Sequence, residues 1–410
     1  MRANRILAAL AVVSLLGMIL LGIFSDPIML DGLKGNFAGD FRLRAAEIRC
    51  AHQGVNSFHV WNRDQVVPGF HPYPRPDMVD VDRKPGELTV HAYPPWHIAF
   101  FWFLGWLPSD ACLALMACLF GACLAYIVRQ TFAITAERCG GGAAFVAWLS
   151  LLLITRDVTH CFIWMNYGVM ILALYLLMYA ALRRKMFVLA GFCWAAMMIK
   201  PQVSCLFFWP LFCERRYKTI ITAIGVCLGM TMIMSCCYGE SPVDLILQIP
   251  QIGSPYGSQG ICEKVLTPLL GGMTRPVWMG ACFVACGILC CMLRRSGDFL
   301  LLSVPVALIT PLWTYSQRHD HVILWILYVA ALGFAMHPSN GRWKRMWLVV
   351  FAAMLGSVLF CAFWAIGVRV GVMEPQGIGW LYQLAELAPY LMGVCMLVVL
   401  VRAYGIKRPS

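Results

Sequence analysis

Most of the side chains that could do chemistry lie in four short clusters of an otherwise apolar chain. Placing a charge in apolar surroundings is costly, so each cluster is a candidate for binding or catalysis. In order along the sequence, the clusters are 39–47, 92–97, the pair Lys200-Pro201, and 310–321.

The first cluster predicts a short amphipathic helix. Asp40, Arg44 and Glu47 fall on one face at i, i+3 and i+4 spacing, opposite an apolar face. Such a helix is expected to lie on the outer membrane surface, with Asp40 near the lipid headgroups. The alternative is a solvated face that holds a local ion pair between Asp40 and Arg44.

The second cluster lies where a long polar stretch enters an apolar segment. The prolines of Tyr93-Pro94-Pro95 stiffen this entry, and Tyr93 and Trp96 are typical of a membrane interface. His97 follows directly and is a candidate to contact a polar ligand. The alternative is an ordinary interfacial anchor.

Lys200, in the third cluster, is an isolated cation in an apolar segment. No Asp or Glu lies near it in the sequence before Glu214. A buried lysine needs an anion, and we therefore predict a phosphate group as its partner. The alternative is a side chain that extends to the interface.

The fourth cluster leads directly into an apolar helix. Arg318, His319 and His321 offer several donors to an anionic group, and Asp320 lies among them. A metal site is a weaker interpretation of the His-x-His pair, because its two rings point to different faces of a helix and no third ligand is obvious.

The composition places the chain in a membrane. Of 410 residues, 60% are hydrophobic and 13% are charged, whereas soluble domains have about 45–50% apolar and about 25% charged residues. Because one membrane-spanning helix needs about 20 apolar residues, we predict an all-α polytopic membrane protein of roughly 11–13 transmembrane helices. A water-soluble globule and a disordered chain are excluded.

We treat residues 1–410 as one integral-membrane domain. Both termini are expected in the cytoplasm, because short loops rich in Lys and Arg stay there. The same rule accounts for the net charge of +12, so we expect no nucleic acid as a partner. The predicted parts are a first span (1–24), an extracytoplasmic loop (25–92), core helices (93–237), a second extracytoplasmic loop (238–275) and C-terminal helices (276–403).

Two segments do not fit simple crossings. Basic clusters flank residues 187–213 at both ends, which one crossing would place on opposite sides of the membrane. Since Pro201 breaks this segment, we predict a hairpin of two short helices with Lys200 at its tip. The segment 93–107 is too short to cross the membrane readily. We predict that it forms a re-entrant or half-crossing element.

In their order and spacing, the four clusters resemble a known family. It is the polyprenyl-phosphate-mannose-dependent mannosyltransferases, within the C superfamily of integral-membrane glycosyltransferases (GT-C). The resemblance extends from about residue 1 to residue 335. The matching segments are Gly39-Asp40-Phe41, Tyr93-Pro94-Pro95, Asn166-Tyr167-Gly168, Ala190-Gly191 to Lys200-Pro201, and Thr310-Pro311 to Asp320-His321.

The resemblance implies a GT-C-like bundle in the bacterial inner (plasma) membrane, with its catalytic loops on the extracytoplasmic face. The implied activity is inverting transfer of a hexose, in this family mannose, from a polyprenyl-phosphate donor to a hydroxyl group. The acceptor is a glycolipid, a glycan or a protein. Asp40 is the implied general base, and the alternative bases are Asp64, Asp77, Asp80 and Asp82.

The resemblance also suggests how the donor is held. Because a lipid phosphate is already a good leaving group, no metal or other cofactor is expected. Cationic and hydrogen-bonding groups are expected to stabilise its charge, and the candidates are Lys200, Arg318, His319 and His321. The candidates for lining the substrate cleft are Arg44, Tyr93, His97, Asn166 and Asp320.

Two other classes of function remain open at this point. A lipid or small-solute transporter or flippase would also use a buried lysine and broken helices, although such proteins often show internal repeats, and none is evident here. A structural or assembly protein would tolerate replacement of its charged loop residues.

Overall fold

The fold is helical throughout the part of the chain that can be described. A computed structural model describes residues 39–56, 93–139, 142–252, 275–313, 318–336, 390 and 393–402. Within these ranges every regular element is a helix and no strand occurs. The predicted all-α fold is therefore confirmed.

The helices before the Lys200 break are numbered from the N-terminal side. They are α1 (Gly39–His52), α2 (Pro95–Phe100), α3 (Ser109–Cys139), α4 (Ala143–Leu153), α5 (Thr155–Trp164), α6 (Gly168–Arg183) and α7 (Phe187–Met197). A 3-10 helix, Trp102–Trp106, links α2 to α3.

The helices after the break follow the same numbering. They are α8 (Pro201–Ser204), α9 (Phe208–Cys213), α10 (Tyr217–Tyr238), α11 (Pro242–Ile252), α12 (Arg275–Leu293), α13 (Phe299–Leu302), α14 (Val304–Trp313) and α15 (Trp325–Met336). Three further 3-10 helices are Cys205–Phe207, Arg294–Ser296 and Arg318–Leu324.

Several of the described helices can cross a membrane. By length and composition, α3, α10 and the segment Val277–Ser296 are sufficient on their own. Helices α4 and α5, bent by 47°, make a fourth span if they are counted as one. Five shorter apolar helices complete the described set, as expected for a polytopic membrane protein.

The apolar runs of the sequence do not coincide with the helix boundaries in this region. The apolar run 110–128 is part of the 31-residue helix α3. The next apolar run, 142–155, ends as a helix at Leu153, where the chain bends into α5. The apolar content of these residues was clear in the sequence, but a bend between two apolar helices leaves the hydropathy unchanged.

The long helices present large apolar side chains outward. Ile221 and Met232 of α10 and Ile288 of α12 are each more than half exposed. In water such exposure would forfeit roughly 25 cal/mol for each Å² of apolar surface left unburied. A bilayer removes this cost, so these faces are suited to contact lipid.

One end of the bundle is basic. Arg183 at the end of α6 pairs with Glu137 near the end of α3. Arg138 forms an ion pair of 2.7 Å with Asp298, which caps α13. Three basic loops, which begin at Arg183, Arg215 and Arg294, therefore lie at the same end of the bundle.

The hairpin predicted over residues 187–213 is confirmed. The hydroxyl of Thr219, in the first turn of α10, donates to the carbonyl oxygen of Phe187 at 3.1 Å. The chain must therefore return to the level at which α7 begins. Gly191 permits this packing, because a Cβ at that position would lie 2.5 Å from Cβ of Thr222.

The segment predicted to enter without crossing is also short in the structure. Helix α2 has six residues and the following 3-10 helix has five. At about 1.5 Å per residue, neither approaches the roughly 30 Å of a hydrocarbon core. The chain turns between them at Phe101 and then enters α3.

The prediction that helix α1 lies on the outer membrane surface is wrong. The helix forms as expected, but Phe41, Ile48, Arg44 and Glu47 are all buried. Burial, with a smaller contribution from Glu47, raises the pKa of the Cys50 thiol to about 11. The described side chains on both faces of α1 therefore pack inside the protein, and the buried charges of Arg44 and Glu47 pair with each other.

Some predictions fall on residues that the structure does not describe. These are the first span, most of the 25–92 loop with Asp64, Asp77, Asp80 and Asp82, the second loop beyond residue 252, and the C-terminal segment 337–389. The backbone of α1 includes Asp40, and the 3-10 helix at 318–324 includes Arg318 and His319, but these three side chains lie outside the description.

Candidate functional site

The site is centred on Lys200, which lies in the break between α7 and α8. Pro201 begins α8 and has no N–H to continue the helix, so the chain opens at this point. The side chain of Lys200 is buried, and its Nζ donates to Oδ1 of Asn166 at 2.6 Å and to Oδ1 of Asp320 at 2.5 Å. A cation is thus held inside the apolar helical bundle by one carboxylate and one amide.

Asn166 is positioned by the turn between α5 and α6. Met165 has a φ of 47°, which lets the chain reverse its direction after α5. Oδ1 of Asn166 also accepts from the backbone N–H of Gly168, at 3.3 Å, at the start of α6. The same oxygen therefore satisfies a helix terminus and binds the ammonium group of Lys200.

Asp320 reaches Lys200 from the 3-10 helix at 318–324. This helix packs against α5 and α6, which carry the Asn166 turn between them. Asp320 is buried. The neighbouring His321 points elsewhere, with Nε2 lying 3.4 Å from the hydroxyl of Tyr390.

The ring of Tyr93 joins the Lys200 break to α1. The ring centroid lies 6.0 Å from Nζ of Lys200 and 4.7 Å from the guanidinium carbon of Arg44. A cation over an aromatic face is attracted by the ring's negative potential. Tyr93 is itself fixed by Pro94 and by Pro95 at the start of α2.

Arg44 forms a buried ion pair within α1. Its Nη1 donates to both carboxylate oxygens of Glu47, at 2.6 and 2.7 Å. Asp40 lies one helical turn before Arg44 in the same helix, and the side chain of Arg44 contacts the ring of Tyr93. The Asp40–Arg44 pair of the alternative interpretation involves a side chain that the structure does not describe, whereas the Arg44–Glu47 pair is observed.

His97 and Tyr167 make a second polar contact beside Tyr93. Nε2 of His97 lies 2.9 Å from the hydroxyl of Tyr167, and both side chains are buried. The ring of Tyr167 stacks on Phe101 at 5.1 Å and meets Tyr93 edge-on at 5.4 Å. Helix α2 and the Asn166 turn are thereby held together by an aromatic cluster.

Most of the described candidates meet in one place. Arg44, Tyr93, His97, Asn166, Lys200 and Asp320 form a continuous set of contacts, whereas His321 is directed to Tyr390. The site lies away from the basic end of the bundle. Helix α6 has 16 residues and separates Asn166 from the basic cluster at Arg183 by roughly 24 Å.

Two further residues that contact this set, Glu47 and Tyr167, were not chosen from the sequence. Glu47 was recognised only as sharing a helix face with Arg44, and its i+3 spacing was the signal for the ion pair. Tyr167 was part of the turn motif, but nothing in the sequence indicated that its hydroxyl would contact His97.

The site contains two buried cations, Lys200 and Arg44, each paired with a carboxylate. Ordered cations and hydrogen-bond donors of this kind are able to stabilise a developing negative charge. Among the residues that the structure describes, no group of three or more His, Cys, Asp or Glu side chains could hold a metal ion.

Comparison with known proteins identifies the family. No curated protein and no solved structure matches the chain. The model of glycosyltransferase family 87 matches residues 91–313, more than half of the 410 residues. The matched range includes Tyr93, His97, Asn166 and Lys200, and the chain belongs to glycosyltransferase family 87, whose members are integral-membrane glycosyltransferases.

Proposed function

We propose that this glycosyltransferase moves a hexose, mannose in the first instance, from a polyprenyl-phosphate donor to an acceptor hydroxyl on the extracytoplasmic face. The observation that carries the proposal is the contact set of Lys200. An ammonium group has three N–H donors, and Asn166 and Asp320 accept from two of them. The third N–H would donate to a phosphate oxygen of the donor lipid.

The proposed reaction is a direct displacement at the anomeric carbon. The acceptor oxygen forms a bond to this carbon as the bond to the phosphate oxygen breaks, which inverts the configuration. The carboxylate of Asp40 takes the hydroxyl proton, and the lipid phosphate leaves with the bonding electrons. The phosphate is a good leaving group, so the proposal requires no metal.

The proposed roles combine the contacts of Lys200 with the sequence motif at 318–321. Lys200 would stabilise the charge of the departing phosphate, and Arg318 and His319 are proposed from the motif to assist it. His321 was proposed from the same motif, but its Nε2 lies beside the hydroxyl of Tyr390. Asn166 and Asp320, first considered as cleft residues, support Lys200 directly. Arg44, Tyr93 and His97 would line the cleft between α1 and the break.

The membership in a glycosyltransferase family supports transfer over transport. The acceptor is proposed to be a glycolipid, a glycan or a protein hydroxyl, and lipid-linked product analysis after deletion of the gene distinguishes these classes. A flippase would move the donor lipid across the bilayer without forming a glycosidic bond.

Transfer of radiolabelled mannose from polyprenyl-phosphate-mannose in membranes tests the proposal. Asp40→Asn should lower the rate about 10²–10⁴-fold, the usual contribution of a general base. Asp110→Asn is the matched control, because Asp110 is exposed at the start of α3. Full activity of Asp40→Asn would overturn the proposed base, and translocation of labelled lipid without product would favour the flippase.

A further inference from the structure

The break at Lys200 lacks one backbone hydrogen bond of a continuous helix. In such a helix the N–H of residue 201 would bond to the carbonyl of Met197, but Pro201 has no N–H. That carbonyl accepts from the backbone N–H of Lys200 at 3.1 Å and from the hydroxyl of Ser204 at 2.8 Å. The same hydroxyl lies 2.9 Å from the carbonyl oxygen of Lys200, which also accepts from the N–H of Val203 at 3.0 Å. A side-chain donor therefore supplements the backbone hydrogen bonds at the break.

Two tryptophans hold the backbone on either side of Lys200. The indole N–H of Trp96 donates to the carbonyl of Met198 at 2.8 Å, two residues before the lysine. The indole N–H of Trp313 donates to the carbonyl of Gln202 at 2.6 Å, two residues after it. Both indole side chains are buried, at 8% and 7% exposure.

These two tryptophans come from different parts of the bundle. Trp96 belongs to α2, next to Tyr93, whereas Trp313 ends α14, shortly before the segment that carries Asp320. A third indole, that of Trp194, donates to the carbonyl of Ser204 at 3.0 Å and ties α7 to α8 within the hairpin. Indole hydrogen bonds thus connect the break to α2 and to α14, and also connect the two helices of the hairpin to each other.

We propose that Trp96 and Trp313 are positioning residues for Lys200. A lysine side chain has a flexible four-carbon stem, so its ammonium group is placed accurately only if its backbone is fixed. The two indoles fix that backbone, and Nζ then reaches Asn166 and Asp320 with one N–H left for the phosphate. The effect on catalysis rests on the proposed role of Lys200 in binding the donor.

Tryptophan-to-phenylalanine variants remove the N–H donor and keep an aromatic ring. A carbonyl left without a donor in apolar surroundings is costly, so the backbone should shift or admit water. Trp96→Phe and Trp313→Phe should each raise the KM for the polyprenyl-phosphate donor about fivefold, the size expected for one net hydrogen bond. The KM for the acceptor should not change.

Trp209→Phe is the matched control. Among the described residues, the buried indole N–H of Trp209 in α9 has no hydrogen-bond acceptor. The substitution therefore makes the same chemical change without removing a hydrogen bond, and both KM values should stay at the wild-type level.

A double-mutant cycle separates positioning from general structural support. If the tryptophans act through Lys200, Trp96→Phe should have no further effect on donor KM in a Lys200→Gln background. Equal effects in both backgrounds would overturn the inference. Should Lys200→Gln fail to fold, the variant with both Lys200→Gln and Asp320→Asn removes both buried charges and serves as the background.

A second measurement does not depend on sugar transfer. Lys200 in the detergent-solubilised full chain is treated with an amine-reactive reagent, and its modification is quantified by peptide mass spectrometry. Lys200 should be protected in the wild type and in Trp209→Phe, and should react at least about fivefold faster in Trp96→Phe and Trp313→Phe. Unchanged protection would overturn the inference, whereas a wild type that transfers no sugar would overturn only the proposed function.

Discussion

Lys200 and Asp320 are 120 residues apart in the sequence, yet Nζ of one lies 2.5 Å from Oδ1 of the other inside the helical bundle. The pair is fully buried. Two charges taken out of water are expensive unless they are paired, and removing one partner leaves the other uncompensated. This contact therefore joins the Lys200 break to the late 3-10 helix and makes each charge depend on the other.

Lys200→Met should destabilise the protein by about 3–5 kcal/mol, because it strands the carboxylate of Asp320 in an apolar site. The double variant with Lys200→Met and Asp320→Leu should recover most of that stability, since two apolar side chains replace the pair. Thermal unfolding of the detergent-solubilised protein measures both effects. Both variants should transfer sugar much more slowly than the wild type, and a double variant with wild-type activity would show that the donor phosphate does not need Lys200.

Tyr167→Phe should cost about 1 kcal/mol of stability, the usual net value of one hydrogen bond. The variant keeps the stacking of the ring on Phe101 and loses only the hydroxyl that contacts His97. Tyr126→Phe on α3 is the control, and thermal unfolding of the two variants should differ. Equal unfolding temperatures would mean that the His97 contact contributes nothing to stability.

Gly191→Ala should separate α7 from α10. The added Cβ would lie 2.8 Å from the carbonyl oxygen of Thr219 as well as 2.5 Å from Cβ of Thr222, and overpacking of this kind costs roughly 1–3 kcal/mol.

Gly225→Ala is the matched control on the same helix pair. Among the described residues, nothing lies within 4 Å of a Cβ at Gly225 in α10, and alanine favours a helix over glycine, so this variant should unfold at or slightly above the wild-type temperature. Thermal unfolding compares the two substitutions. A tolerated Gly191→Ala would show that the helices separate at little cost.

Lys185 and Lys218 should react with a membrane-impermeant amine reagent from the same side of the membrane. Both are exposed and lie at opposite ends of the hairpin segment, whose return is shown by the contact between Thr219 and Phe187. Inside-out vesicles should label both lysines, and right-side-out vesicles neither, with peptide mass spectrometry as the readout.

Lys264, in the second predicted extracytoplasmic loop, is the opposite-side control for this labelling. It should be modified in right-side-out vesicles. Labelling of Lys185 and Lys218 from different sides would contradict the hairpin.

The architecture of the break was accessible from the sequence because its signals are local. A proline inside an apolar segment and basic residues at both ends led to the hairpin at Lys200-Pro201, and the structure confirms it. Helix α1 was also predicted from spacing alone. Its environment was not, because an amphipathic pattern does not reveal whether the polar face meets water or a buried partner.

The members of the site were largely predictable, but their contacts were not. Order and spacing singled out Tyr93, Asn166, Lys200 and Asp320, each through a neighbouring proline, turn or charge cluster. No carboxylate close in sequence could neutralise Lys200, which led to the prediction of a phosphate partner. The structure provides Asp320 and Asn166, which accept from two of the three N–H groups of Lys200.

The sequence by itself determined that this protein is a helical membrane protein, where its chain breaks, and which residue types could handle a phosphate. Hydropathy, proline and charge act over a few neighbouring residues, so they are visible in one dimension. The tertiary structure alone decided that Asp320 pairs with Lys200 and that Trp96 and Trp313 hold its backbone. Such pairings depend on how distant helices pack, and helix packing leaves no local trace in the chain.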